Sequence, residues 1–193
     1  MFRGPDYYTN KAHKENYLAR SVYKLKEINE KYHLIQPGDR VLDLGSAPGS
    51  WLQYASQIVG PSGLVLGLDL QVISVILPDN IKILQADVFA LNYELFKEQW
   101  GSFKIVLSDM APHTSGIKFA DQQHSLELVS ASFAMAETVL EKHGHFLGKV
   151  FQSQDVSAFS EAIKKQFHKF QFIKPKSSRK ESFELYILGW DKK

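Results

Sequence analysis

Cysteine is absent from the 193 residues. That absence excludes disulfides, thiolate zinc sites and a cysteine nucleophile. No apolar run approaches the ~18 residues of a membrane span. The opening stretch, MFRGPDYYTN, lacks the apolar core of a secretory signal. Repeats, low-complexity tracts and linkers are missing as well, and the one Pro/Ser/basic stretch is 174–180 (KPKSSRK). What is present is an ordinary globular composition, 44% hydrophobic, 12% aromatic and 23% charged, at a length that suits one domain. A chain this size buries roughly 70% of the surface its unfolded form exposes. The expectation is a soluble intracellular chain without membrane contact, folded as a single domain over 1–193.

A net charge of +2 conceals an uneven distribution. Residues 1–33 hold seven Lys/Arg against four acids, and 161–193 hold nine against four. Residues 34–160 hold seven against thirteen, so the ends carry +3 and +5 around a centre of −6. Uneven statistics on a solvated surface would produce this. So would an acidic cofactor site framed by two basic segments that meet a polyanion. Charge alone does not choose between them.

Short β-rich runs alternate with longer helical segments, which indicates an α/β fold. Strands are expected over 40–45 (RVLDLG), 64–70 (LVLGLDL), 81–87 (IKILQAD), 103–110 (FKIVLSDM), 145–151 (HFLGKVF), 170–174 (FQFIK) and 183–190 (FELYILGW). Several are near-continuous apolar runs, as parallel strands covered on both faces require. Helices are expected over 10–32, 50–59, 92–100, 121–143 and 155–168. In the fourth, Leu126, Val129, Phe133, Ala136 and Leu140 recur at helical spacing and Gly144 supplies the stop. The fifth opens on Asp155 as its N-cap. Residues 1–33 then form a basic N-terminal extension and helix, and 34–193 the core.

The first strand runs into Asp43-Leu44-Gly45-Ser46-Ala47-Pro48-Gly49-Ser50-Trp51. An acid, an apolar residue and glycine leaving a first strand, then small residues entering a helix, make a nucleotide-binding turn. It is not the dinucleotide fingerprint, because Ala47 and Pro48 interrupt G-x-G-x-x-G, and Pro48 removes a backbone donor that an anion would use. Asp43 suits an ammonium group better than a pyrophosphate. That favours a nucleoside cofactor carrying an amino acid and a positive charge, S-adenosyl-L-methionine. Asp69 ends the second strand, 24 residues after Gly45, where a carboxylate meets ribose hydroxyls. Asp87 ends the third, placed to accept from an adenine amino group. One acid at a strand end reads as a cap or a solvated loop residue. Three at the carboxyl edge read as a site.

Asp109 leaves the fourth strand in Ser108-Asp109-Met110-Ala111-Pro112. Lys149 stands inside the fifth, where burying its charge is costly. It snorkels to solvent, pairs with an acid or belongs to a site, and the fourth and fifth strands both open onto the cofactor edge. Glu184 likewise interrupts an apolar strand. Lys24, in Ser21-Val22-Tyr23-Lys24-Leu25, has by spacing alone no more claim than Lys26. His143-Gly144-His145 has a metal-like spacing but no third ligand nearby, so turn chemistry and no metal are expected. His113 reads as a loop histidine.

Ala19-Arg20-Ser21-Val22-Tyr23-Lys24-Leu25, the Asp43 to Trp51 turn, the Ser108 to Pro112 segment, Lys149-Val150-Phe151-Gln152 and Glu184-Leu185-Tyr186-Ile187 together resemble the FtsJ/RrmJ family of RNA ribose 2′-O-methyltransferases. The resemblance spans about 6–189, with the motifs in family order. It implies a Rossmann-like class I methyltransferase fold, with a seven-stranded, mostly parallel sheet, an antiparallel last strand and helices on both faces. It implies a catalytic tetrad at Lys24, Asp109, Lys149 and Glu184. Cofactor contacts are implied at Gly49, Trp51, Asp69, Asp87 and Asp109, beside Asp43 and Gly45 already singled out. Ser50 stands where the family often has Gly or Ala, His113 where Asn is common, and Gly148 where an apolar residue is usual. Glu181 lies close by, but only Glu184 immediately precedes the Leu-Tyr-Ile run.

In the mechanism so implied, Lys149 is the general base. A lysine serves as one only when its pKa falls well below about 10.4, which burial and a second cation, Lys24, would achieve. Asp109 and Glu184 would hold the amines in place, the product would be S-adenosyl-L-homocysteine, and no metal would be required. The basic ends become RNA-contacting segments, with Arg3, Lys11, Lys14 and Arg20 from the first, and Lys174, Lys176, Arg179 and Lys180 from the last loop. Such contacts position RNA without reading its sequence. Tyr7, Tyr8, Tyr17 and Tyr23 could stack on bases, though packing accounts for each. The short length resembles bacterial or organellar members that methylate a uridine of large-subunit ribosomal RNA. The expected partner is therefore rRNA within the large ribosomal subunit, and the expected state a cytoplasmic monomer. Members that act on the tRNA anticodon loop share the N-terminal pattern. A non-catalytic RNA-binding ribosome-assembly factor and a small-molecule methyltransferase are the alternatives from other classes.

Overall fold

Val41-Leu42 and Val65-Leu66 are apolar at successive positions and buried at both, the condition of a parallel sheet covered on two faces. In the computed structural model, which describes residues 7–179 and 181–193, β1 (Arg40–Leu44), β2 (Leu64–Asp69), β3 (Ile81–Gln85), β4 (Phe103–Ser108) and β5 (Leu140–Phe151) run parallel. β6 (Phe167–Ile173) and β7 (Glu184–Lys192) complete the sheet in the order β3-β2-β1-β4-β5-β7-β6, with β7 antiparallel to both neighbours. This is the expected seven-stranded architecture. The helices are α1 (Tyr7–Lys14), α2 (Val22–Tyr32), α3 (Ser50–Val59), α4 (Tyr93–Trp100), α5 (Lys118–Val139) and α6 (Asp155–Gln166). Leu25 and Ile28 of α2 and Leu52 of α3 pack with Val41 and Tyr186 on one face of the sheet. Val129 and Phe133 of α5 pack with Val106 and Phe146 on the other. Strand order reverses between β1 and β4, and ligands in such folds bind at the carboxyl ends beside that reversal. Among the described residues, no helix is long and apolar enough to cross a membrane.

Several boundaries differ from expectation, three of them for a clear physical reason. The helix expected over 10–32 is two. Asn16 takes a left-handed φ of 60°, which asparagine tolerates, and the backbone freed there is met by α3. Gln53 donates to Asn16 O at 3.2 Å and accepts from Leu18 N–H at 2.9 Å. Gly144 is not a helix stop, because α5 ends at Val139 and the chain passes straight into β5, where Leu140 pairs with Phe103. Leu140 is buried as a strand residue instead of a helical one, so it continues the apolar stripe past the true end. Asp155 is the first helical residue of α6 and not its cap, its carboxylate accepting from Gln123 at 2.7 Å. The helix yields to β6 at Phe167.

Candidate active site

Between β1 and α3 the chain turns through Gly45 and Gly49. At Gly45 (φ 74°) a Cβ would lie 2.5 Å from Met110 Cγ and 3.0 Å from Met110 N and Cα, so any side chain would force the turn off the exit of β4. Gly49, at φ 113°, opens α3 from a conformation that side chains rarely adopt. The turn is fastened to β2. Gly45 N–H donates to Leu68 O at 2.9 Å and Ala47 N–H to Asp69 Oδ2 at 2.8 Å. Asp69 Oδ1 accepts from Gln71 N–H at 2.8 Å, and its carbonyl accepts from Ala86 N–H at 3.0 Å, which brings Asp87 alongside. Asp87 Oδ1 in turn accepts from Phe89 N–H at 2.9 Å. Both acids therefore organise their own loops as well as lining this edge.

Asp43 is different. It is 0% exposed, and neither carboxyl oxygen has a hydrogen-bond partner among the described residues. Burial pushes its carboxyl well above the usual carboxylate range, and Asp109 and Asp69 push it further. An unpartnered buried carboxyl costs folding free energy, so its presence makes sense beside a cation that it meets. Ser46 Oγ, on the same turn, is buried and unpartnered too. These atoms fit the ammonium end of an amino-acid-bearing cofactor.

Period-two alternation puts Glu184 and Tyr186 of β7 on one face, in register with Phe151 and Lys149 of β5. Lys149, 5% exposed, donates to the backbone carbonyl of Asp109 at 2.5 Å and lies 2.9 Å from Asp109 Oδ1 and 4.0 Å from Glu184 Oε1. From α2, Lys24 reaches Glu184 Oε2 at 2.9 Å. The four side chains named from sequence thus form one chain, Lys24–Glu184–Lys149–Asp109. Burial pushes the Asp109 carboxyl up, but the charges of Lys149 and Lys24, with hydrogen bonds from Tyr186 and Lys149, outweigh it and hold it below the usual range. Burial acts likewise on Glu184, where Lys24, Lys149 and Ser182 hold the carboxyl down. Both carboxylates are ionised at neutral pH.

Residues 17–192 match the family model of FtsJ-like methyltransferases. The chain belongs to that family. It is 48% identical over 188 residues, 97% of this chain and 91% of the relative, to the ribosomal RNA large subunit methyltransferase E of Desulfatibacillum aliphaticivorans. To the protein of the same name from Bdellovibrio bacteriovorus it is 47% identical over 191 residues, covering 97% of each. Among solved structures, a ribosomal RNA methyltransferase from Plasmodium falciparum superposes with a TM-score of 0.78 at 26% identity, covering 91% of this chain and 98% of that one.

In this FtsJ-like methyltransferase Trp51 is 3% exposed. Its indole N–H donates to Ser21 O at 2.9 Å and its ring lies 5.9 Å from that of Tyr186, so it fixes α2 and the site floor to α3. The two basic segments meet. Glu27 of α2 accepts from Lys176 N–H at 2.9 Å and from Ser177 N–H at 3.2 Å, and Arg20 donates to Ser177 O at 2.6 Å. A cleft of about 550 Å³ then has Arg20, Lys24, Arg179 and Glu184 in its walls. Lys174 donates to Ser182 O at 3.1 Å in the same loop. Lys11 and Lys14 sit apart on α1, Lys11 over the Tyr23 ring at 4.7 Å and Lys14 exposed. Arg3 and Lys180 lie outside the described residues. Tyr8 and Tyr17 pack on Tyr23, while Tyr7 is exposed. His143 pairs with Asp191 at 2.7 Å, and no group of three or more His, Asp or Glu among the described residues could hold a metal.

Sequence reasoning passed over Tyr186. Its hydroxyl, fully buried, donates to Asp109 Oδ1 at 2.6 Å. The signal was available, since Tyr186 stands two residues beyond Glu184 on the same strand face. Tyr186→Phe keeps the ring against Trp51 and removes the hydrogen bond. A loss of about 1.5 kcal/mol in orienting Asp109 should appear as roughly tenfold slower methyl transfer at saturating substrate. A kcat equal to that of the unaltered enzyme would show that the bond orients nothing of consequence.

Proposed function

We propose that the chain transfers the methyl group of S-adenosyl-L-methionine to a ribose 2′-hydroxyl of large-subunit ribosomal RNA, as a cytoplasmic monomer in which 1–193 work as one domain. The observation that carries this reading is Lys149, buried and held by Asp109 at 2.9 Å, at the same sheet edge as the unpartnered Asp43. The names of the relatives support the substrate, and the meeting of the basic segments at Arg20 and Arg179 supports a polyanion.

When bound, the cofactor supplies a methyl already activated on a sulfonium. Asp43 would hold its ammonium end, and Asp69 and Asp87 its ribose and adenine. The remaining work is to place a weakly acidic hydroxyl and take its proton. The Lys149 ammonium that pairs with Asp109 must first give up one proton to solvent, and the neutral amine then has two N–H bonds and one lone pair. Asp109 accepts both, at its carbonyl (2.5 Å) and at Oδ1 (2.9 Å), which leaves the lone pair to take the proton from the 2′-oxygen. Glu184, anchored by Lys24 at 2.9 Å, faces the resulting ammonium from 4.0 Å. Alignment of the hydroxyl by these fixed groups supplies several kcal/mol more.

The purified chain, given tritiated-methyl cofactor and RNA from a strain lacking this protein, should label large-subunit RNA at one alkali-resistant linkage. Label on a base, label in tRNA alone, or label only on free nucleosides or catechols would overturn the assignment.

A further inference from the structure

Glu184 stands on a ridge between two clefts. The first is the basic cleft of about 550 Å³ that contains Arg20 and Arg179. The second, about 330 Å³, lies on the other side and, among the described residues, shares Ser182 and Glu184 with it. The proposed function gives the second cleft no role.

One wall of it carries two phenylalanines, which the first cleft lacks among the described residues, and the rest of its lining is polar, with Lys118 and Asp121 among it. Phe151 faces Glu184 across the β5–β7 register, and Phe183 immediately precedes Glu184 with 56% of its surface exposed. The backbone of Phe183 is fixed, its carbonyl accepting from Gln152 N–H at 2.9 Å. Lys118 Nζ stands 4.8 Å from the centre of its ring. The opposite wall is equally fixed. Asp121 Oδ1 accepts from Ser115 N–H at 2.7 Å and from its hydroxyl at 2.8 Å, and Oδ2 accepts from Gly116 N–H at 3.2 Å. Gln122 is tied to Gln152 O at 2.6 Å. The cleft is therefore built before any ligand arrives, with an open ring face beside the tetrad.

Resting on the ribose reading above, we propose that this second cleft receives the base of the nucleotide being methylated, stacked on Phe183, while the adjoining phosphates lie in the Arg20–Arg179 cleft. A ribose presented to Lys149 straddles the Glu184 ridge, so its base and its phosphates leave on different sides. Phosphate oxygens match the guanidinium side. An unstacked base presents a π-face and matches the phenylalanine side. Lys118 Nζ lies over one face of that ring at 4.8 Å, so the base stacks on the other face and the cation backs the stacked pair.

The test compares Phe183→Ala, Phe183→Leu and Phe183→Tyr on large ribosomal subunits from a strain lacking this protein, with cofactor affinity measured in parallel. Alanine should lower kcat/KM by about 5- to 150-fold, the worth of one base–aromatic stack. Tyrosine should restore it to within about threefold, leucine should not, and cofactor affinity should stay unchanged in all three. Because the ring is largely exposed, none of these variants endangers folding. Full activity with alanine or leucine, or no rescue by tyrosine, would overturn the base site while leaving the ribose reading intact. Failure of the unaltered chain to label any ribose would overturn both.

Discussion

Lys149→Met should reduce methyl transfer by about 10²- to 10⁴-fold, the range of a lost general base, while the cofactor still binds. The substitution removes the cation 2.9 Å from Asp109. Breaking a buried pair costs about 3–5 kcal/mol, and the methionine stem fills most of the vacated volume. Asp109 keeps the Tyr186 hydroxyl at 2.6 Å, so the carboxylate is not stranded. Lys149→Arg separates pairing from proton abstraction. Arginine can still face Asp109 but never deprotonates, so that variant should be better folded than the methionine one and equally inactive. Circular dichroism, cofactor calorimetry and single-turnover methylation decide the matter. Turnover near that of the unaltered chain in either variant would remove Lys149 from the reaction.

Asp43→Asn should weaken cofactor binding by about 10- to 150-fold, the worth of a charge-assisted hydrogen bond to an ammonium, and make the cofactor-free chain more stable at neutral pH. The sign follows from the direction of each shift. Asp43, driven upward by burial and by Asp109 and Asp69, holds its proton more tightly folded than unfolded. Its contribution to stability is present below the ordinary carboxylate pKa and is lost as pH rises through the folded value. Asp109 and Glu184 behave oppositely. Burial opposes their ionisation, but the surrounding ammonium groups and hydrogen bonds win. Their contribution is full above the ordinary carboxylate pKa and is lost as pH falls through their depressed values. Without cofactor, stability is eroded from both sides, and Asn at position 43 should abolish only the alkaline-side loss. Cofactor affinity should tighten as pH rises and Asp43 ionises, and this slope should flatten in the variant. Urea midpoints and calorimetric Kd values across pH give both curves, and an unaltered slope would show that Asp43 does not meet the cofactor's charge.

The acids at the carboxyl edge of the sheet and Lys149 stand out in the sequence because each ends or interrupts an apolar strand, a purely local pattern. The choice of Lys24 over Lys26 was not local and came from family resemblance; in the fold it is Lys24 that reaches Glu184. The break at Asn16 was hidden because its backbone is satisfied by Gln53, a residue on another helix. The end of α5 was hidden because a strand residue, Leu140, continues the helical stripe. The clamp of Glu27 on Lys176 and Ser177 joins positions 149 and 150 residues apart, which no spacing pattern encodes. Tyr186 alone among the missed groups followed from a period already in use.

The antiparallel strand β7 has a consequence for how this protein comes into being. It is wedged between β5 and β6, yet it follows both of them in the chain and delivers Glu184 and Tyr186. Glu184 lies 160 positions after its partner Lys24. During synthesis the N-terminal lysine therefore emerges long before its counter-charge exists, and the closing contact is among the least local in the fold, the kind that forms slowly. Until the final hairpin docks, Lys149 lacks its β7 neighbours and Asp109 its tyrosine. Catalytic competence thus arrives in one late step, and a nascent chain stalled before β7 has neither Glu184 nor Tyr186 at its site.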